Sequence, residues 1–172
     1  MHHKKGGYMS GNPIDKLNVA FDKYDQKQTE IKNEVERKKT EHEIYLENFK
    51  QKCADVIRPT MEEMGNIIKG RGHRFEIKQN DESIDHDKKT TAARIDLEIY
   101  PEGKQPDYIN RSFPHISFIA GTYDNKTYTH VSTMMPSRGG SAGKRYEYEL
   151  PKITKEVVQE EIVNLITECF TK

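Results

Sequence analysis

The chain reads as an α+β protein, and three features predict this. A 3-4 apolar alternation with polar breaks runs for six heptads over residues 14–56. A period-two alternation then recurs in five segments between residues 74 and 150. Helical periodicity returns over residues 154–170. The predicted architecture is a long, coiled-coil-like N-terminal helix and a five-stranded antiparallel sheet covered on one face by a short helix and a C-terminal helix. The predicted division is a flexible tail at 1–11, an oligomerising helix at 12–58 and a sheet domain at 59–172.

The helix has a defined start. Asn12 can cap open backbone N–H groups, Pro13 suits the first helical position, and Asp15 favours the positive helix end. One seam position then holds Ile14, Phe21, Gln28, Val35, His42, Phe49 and Val56, and the other holds Leu17, Tyr24, Ile31, Lys38, Tyr45 and Lys52. Nine of these thirteen are apolar or aromatic, which is a heptad pattern with polar breaks. Pro59 lacks an N–H, so it is expected to kink or end the helix. A shorter helix follows at 60–69, stopped by Gly70 and Gly72. A helix over 13–57 would span roughly 65 Å, against ~17–20 Å for a strand. One small sheet cannot cover that seam, so a second copy is the expected cover. Leu17, Phe21, Tyr24, Ile31, Val35, Tyr45 and Phe49 are the candidate oligomerisation residues. A parallel pairing sets Lys27 against Lys32 but Glu34 against Lys39, so flanking charge does not choose a direction.

The strand segments centre on residues 75–77, 93–99, 116–120, 129–133 and 146–150, each with one apolar and one polar face. Short connections without helical periodicity predict a meander. The acidic connection, with Asp81, Glu82, Asp85, His86 and Asp87, reads as a solvated, mobile loop. In the last helix Thr154 is the expected N-cap, and Val158, Ile162, Leu165, Ile166 and Cys169 form the apolar stripe.

Composition narrows the function classes. The 172 residues are 33% hydrophobic and 33% charged, with a mean hydropathy of -0.95 and no tryptophan. There are 28 basic and 28 acidic residues, so no overall field pulls the chain toward nucleic acid or an anionic surface. No apolar run approaches the ~18 residues of a membrane span, and residues 1–11 lack the hydrophobic stretch of a secretory signal. Cys53 and Cys169 are distant, so a disulfide framework is not expected and a reducing cytoplasm is the predicted compartment. The Asn110 and Asn125 triplets then carry no glycosylation signal.

Motifs for chemistry are few. If Asp124-Asn125 is a two-residue turn, His130 faces Ile119 and lies roughly 13 Å from His115, too far to share a metal. Ser117 and His130 are then diagonal neighbours, but no aspartate, elbow or oxyanion donor accompanies them. Residues 136–145 resemble a Walker phosphate loop only at Gly143-Lys144. The first glycine of the motif would fall at Arg138, and a strand follows instead of a helix. The glycines can still present N–H groups to an anion.

In a meander, three loop segments share one end of the sheet. That end collects Arg71, His73, Arg74, Lys104, Arg111, Arg138, Lys144 and Arg145 against Glu102 and Asp107. With His73 neutral, seven positive charges face two negative ones. Arg71, Arg74, Arg111, Arg138, Lys144 and Arg145 are therefore the candidate anion-binding residues, for nucleic acid or an acidic protein. Tyr100, Tyr108 and Phe113 lie near enough to stack on bases. The function predicted from sequence is a non-enzymatic, homodimeric adaptor or binding module without cofactor, metal or membrane. The alternatives are a small hydrolase on the polar sheet face and a structural subunit of a larger assembly.

Overall fold

A computed structural model describes residues 12–104, 112–136 and 138–171. The fold is α+β, as the sequence predicts. Helix α1 (Pro13–Lys52) passes through a π-helical turn (Cys53–Ile57) into α2 (Arg58–Gly70). A five-stranded antiparallel meander follows in the order β1 (Arg74–Asn80), β4 (Arg94–Tyr100), β5 (His115–Ala120), β6 (Thr127–Ser132) and β7 (Ala142–Tyr148). A two-stranded hairpin, β2 (Ser83–Ile84) with β3 (Thr90–Thr91), is inserted after β1. Helix α3 (Lys155–Phe170) closes the fold. The chain divides into two compact units, Met1–Glu41 and His42–Lys172.

In the first unit, Asn12 Oδ1 accepts the Ile14 N–H at 3.1 Å, the cap the sequence predicts. Every described side chain up to Glu41 is exposed. The helix surface is laced by pairs three and four residues apart. Arg37 donates to Glu34 and Glu41, Lys38 lies 3.4 Å from Glu34, and Gln26 donates to Glu30. These pairs support the helix without tertiary packing.

In the second unit, the core lies between one sheet face and the helices. Tyr45, Phe49, Cys53, Ile57, Met61 and Ile68 pack on Ile95, Leu97, Ile99, Ile116, Phe118 and Val131, with Val158, Ile162, Leu165 and Cys169 from α3. Burying one such aliphatic or aromatic side chain contributes about 1.5–3 kcal/mol. Tyr45 and Phe49, expected from the sequence to face a second copy, are 7% and 2% exposed in their own core. Their cover is the sheet of the same unit.

The seam also departs from the heptad after Phe49. The heptad places Lys52 and Val56 inside, whereas Cys53 and Ile57 are the fully buried pair. The π turn takes up one extra residue and moves the buried face by one position. Pro59, which lacks an N–H, sits in the first turn of α2 directly after it. The helical path continues through Pro59 instead of ending there. Thr60 Oγ1 donates to the Val56 carbonyl at 2.6 Å. At the far end, the His73 N–H bonds the Ile68 carbonyl and the Gly72 N–H bonds that of Lys69. Gly72 has φ +89°, as this helix-terminating motif requires.

The acidic connection is largely exposed, as expected of a solvated loop, and it carries a short hairpin. Asp85 Oδ1 accepts the Asp87 and Lys89 N–H groups, both at 2.9 Å, which turns β2 into β3. Glu82 reaches His42 at 3.0 Å. The other ring nitrogen of His42 bonds Asn125 Oδ1 at 2.9 Å. His42 therefore ties α1 to two loops.

Burial of the His42 ring acts to lower its pKa, but the bonds to Asn125 and Glu82 and the Glu82 charge outweigh it, and the net shift is upward. A pKa above the unfolded value, near 6.5, gives stability that is complete below that pH. It is lost as pH rises through the folded value. Melting temperature should therefore fall between pH 6 and 8. His42→Gln should flatten that slope while lowering stability at pH 6 by about 1 kcal/mol. Thermal denaturation of both proteins across this range checks the claim, and parallel curves would refute it.

Candidate functional site

Two regions could carry function: the loop end of the sheet and the sheet face turned away from the helices. The loop end forms as the meander predicts. The Glu102 N–H donates to His73 Nδ1 at 3.0 Å, which ties the start of β1 to the chain after β4. Its cations, however, are distributed over three surfaces. Arg74 lies over the Tyr100 ring, 4.3 Å from its centroid, on the sheet face. Lys144 is on the same face, bonded to Glu147 at 2.8 Å and placed 4.8 Å over Tyr128. Arg71 lines an apolar groove of about 340 Å³ between α2 and α3, with Ile67, Val163 and Phe170. Arg138 lines a second cavity of about 390 Å³ with Thr133, Gly140 and Glu168.

Arg145 is turned toward α3, where both terminal nitrogens donate to Glu168. A register shift between Tyr128 and His130 sets two residues of β7, 145 and 146, opposite Thr129. This bulge accounts for the turn of Arg145. Lys104 lies 3.6 Å from Glu102. Arg111, Tyr108 and Asp107 lie outside the described residues. The glycine loop keeps its donors for itself. The N–H groups of Arg138 and Gly139 bond the Met135 carbonyl, and that of Ser141 bonds Thr133 Oγ1. The sequence reading of a nest for an anion is not realised at those three amides.

The sheet face turned away from the helices is open to solvent, as expected, with Arg74, Glu76, Lys78, Lys144 and Glu147 exposed, and beneath them lies a dense polar layer. Asp96, Ser117 and Ser132 are 8%, 0% and 2% exposed. Long side chains cover them. Arg94 bonds both oxygens of Asp96 through Nε at 2.9 Å, and its Nη2 donates to Ser117 at 3.3 Å. On the β1 side, Tyr100 donates to Glu76 and Glu98, and Lys78 donates to Glu98 at 2.8 Å.

The histidines differ most from expectation. The hairpin between β5 and β6 is not closed by two residues. The Gly121 N–H bonds the Lys126 carbonyl at 2.6 Å, Asp124 Oδ1 accepts the Lys126 N–H, and Asn125 adopts φ +53°. Gly121 is required there, because a Cβ would run into the Asp124 carboxylate and the Lys126 carbonyl. This wider turn moves the register by two residues. Ser117 now faces His130, and His115 faces Ser132. The imidazoles stack with centroids 5.8 Å apart and planes 18° from parallel.

His115 Nδ1 lies 3.1 Å from the Phe113 carbonyl, so Nδ1 carries the hydrogen of the neutral ring and Nε2 is the remaining acceptor. Among the described residues no hydrogen bond reaches the His130 ring. Burial, the His115 ring and Arg94 lower the pKa of His130, with Asp96 opposing. His130 is therefore neutral at pH 7. The repeated His-x-Ser spacing at 115–117 and 130–132 was the available sequence signal. It becomes informative only with the correct register.

Other chemistry is limited. Among the described residues no group of three or more His, Cys, Asp or Glu side chains is placed to hold a metal ion. Cys53 and Cys169 are buried and free, and burial raises their thiols to about 12 and about 11, so both are inert at neutral pH. No described helix is long and apolar enough to cross a membrane. Comparison with family models, curated proteins and solved structures finds no match to this chain.

The stacked pair makes a direct prediction. In His115→Gln the neighbouring ring that helps to lower the pKa of His130 is gone, so that pKa should rise toward the ordinary imidazole value. Imidazole NMR titration measures this. An unchanged His130 would mean that the rings do not share one site.

Proposed function

We propose that this chain is a non-enzymatic, self-associating binding module that pairs with a second copy through the first part of α1. One observation carries the reading. Ile14, Leu17, Phe21, Tyr24, Ile31 and Val35 form one stripe of α1 and are 49–63% exposed. Scattered exposed apolar residues are ordinary, but a sustained heptad stripe is the pattern a partner helix covers. Gln28 and Lys38 interrupt it and fix the register of pairing. The anionic partner, nucleic acid or an acidic protein, is engaged through the basic loop end. Arg71 and Arg138, both exposed, contribute most there, because Lys144 and Arg145 already bond Glu147 and Glu168. Two copies would present two such ends, so the mechanism is avidity. The two buried thiols suit a reducing cytoplasm.

Light scattering coupled to size exclusion should give twice the 20.0 kDa chain mass at micromolar concentration. Phe21→Glu combined with Ile31→Glu should return the monomer without changing the melting temperature of the sheet unit. A monomeric wild-type chain, or a dimer indifferent to both substitutions, would overturn the reading.

Oligonucleotide binding across a salt series tests the anionic partner. Affinity should fall as salt rises, and Arg71→Ala with Arg138→Ala should reduce the salt slope by about 2. Binding insensitive to salt and to these substitutions removes that partner.

A further inference from the structure

We propose that His115 and His130 form a two-imidazole site for a phosphate ester on the open face of the sheet. The inference does not depend on self-association or on the basic loop end. It rests first on register. Two His-x-Ser triplets run antiparallel on neighbouring central strands, each histidine opposite the other's serine. Both serines are buried, and their hydroxyls are engaged, Ser117 by Arg94 and Ser132 by the Met134 N–H. Each ring is only partly buried, so a ligand can reach both.

Ring chemistry decides the ligand class. His115 bonds backbone through Nδ1 and offers Nε2, while both nitrogens of His130 are available. Protonated, the pair offers two N–H donors on separate strands, with ring centroids 5.8 Å apart. The one fork donor beside them, Arg94, is held bidentate by Asp96, so a planar carboxylate finds no matching fork. A tetrahedral oxyanion can accept from two separated donors with different oxygens. A phosphate monoester keeps at least one negative charge through the whole range in which imidazole titrates, so it remains an acceptor when the pair is protonated. The charged groups around the pair are Arg94, Asp96 and Glu98 from β4 and Lys144 from β7. They sum to zero, which makes protonation of the imidazoles the source of the attraction. The low pKa of His130 in the free chain fits a site that takes up its proton when the anion arrives.

Imidazole NMR of the full chain, titrated with inorganic phosphate and with glycerol phosphate at constant ionic strength, tests this. Both ligands should raise the apparent pKa of His115 and His130 together, and affinity should be about tenfold higher at pH 5.5 than at pH 8. Acetate should have no such effect. His115→Gln and His130→Gln should each weaken phosphate binding at least tenfold while remaining folded by circular dichroism. If either variant unfolds, the wild-type titration still decides. Three results would overturn the proposal: no movement of the two rings, equal movement of the exposed His86, or an equal response to acetate.

Discussion

The second unit depends on the π turn at Cys53–Ile57. Tyr45, Phe49, Cys53, Ile57 and Met61 are spaced by four and all face the core. In a regular α-helix each step of four overshoots a full turn by roughly 40°, so Tyr45 and Met61 would diverge by roughly 160°. A turn closed over five residues absorbs one residue and cuts the divergence to roughly 60°. That is within the breadth of one buried stripe. The same irregularity sits where Pro59 cannot supply an N–H. Helix continuity, the proline and the core are thus accommodated by one local change. Tyr45 then reaches Thr127 through its hydroxyl at 3.0 Å, and His42 reaches Glu82 and Asn125.

This explains why one apolar stripe has two fates. From Tyr45 onward it is buried against a sheet of the same unit. From Ile14 to Val35 the same periodicity continues with every member exposed. His42, the first residue of the second unit, stands between the two regimes as a polar seam residue with its own hydrogen-bond partners. The low apolar content of the chain follows from this arrangement. Only part of a 40-residue helix contributes to a core, and the far face of the sheet is filled by paired charges, tyrosines and imidazoles.

The elements were legible in the sequence because each is set by local pattern. The period-two runs placed all five meander strands, the Asn12 and Thr154 caps both form, and the shared loop end follows from topology alone. What escaped depended on single-residue irregularities. The π turn moved the buried pair from Lys52 and Val56 to Cys53 and Ile57. The Asp124 side chain widened a hairpin and brought His115 to His130. A bulge turned Arg145 toward Glu168. None of these changes composition or periodicity enough to be read, yet each reassigns a candidate functional residue. Charge counting is blurred for a related reason. Lys144 and Arg145 each bond a carboxylate and Arg74 lies over a ring, whereas Arg71 and Arg138 stay exposed.

Helix α1 is anchored by its own unit from His42 onward, and the proposed second copy would cover the stretch before it. Amide hydrogen exchange along α1, measured at several protein concentrations, tests that most directly. The account predicts strong, concentration-independent protection for residues 45–57, and protection over residues 14–35 that rises with protein concentration. Protection over residues 14–35 that is already complete and independent of concentration in a monomer would contradict it.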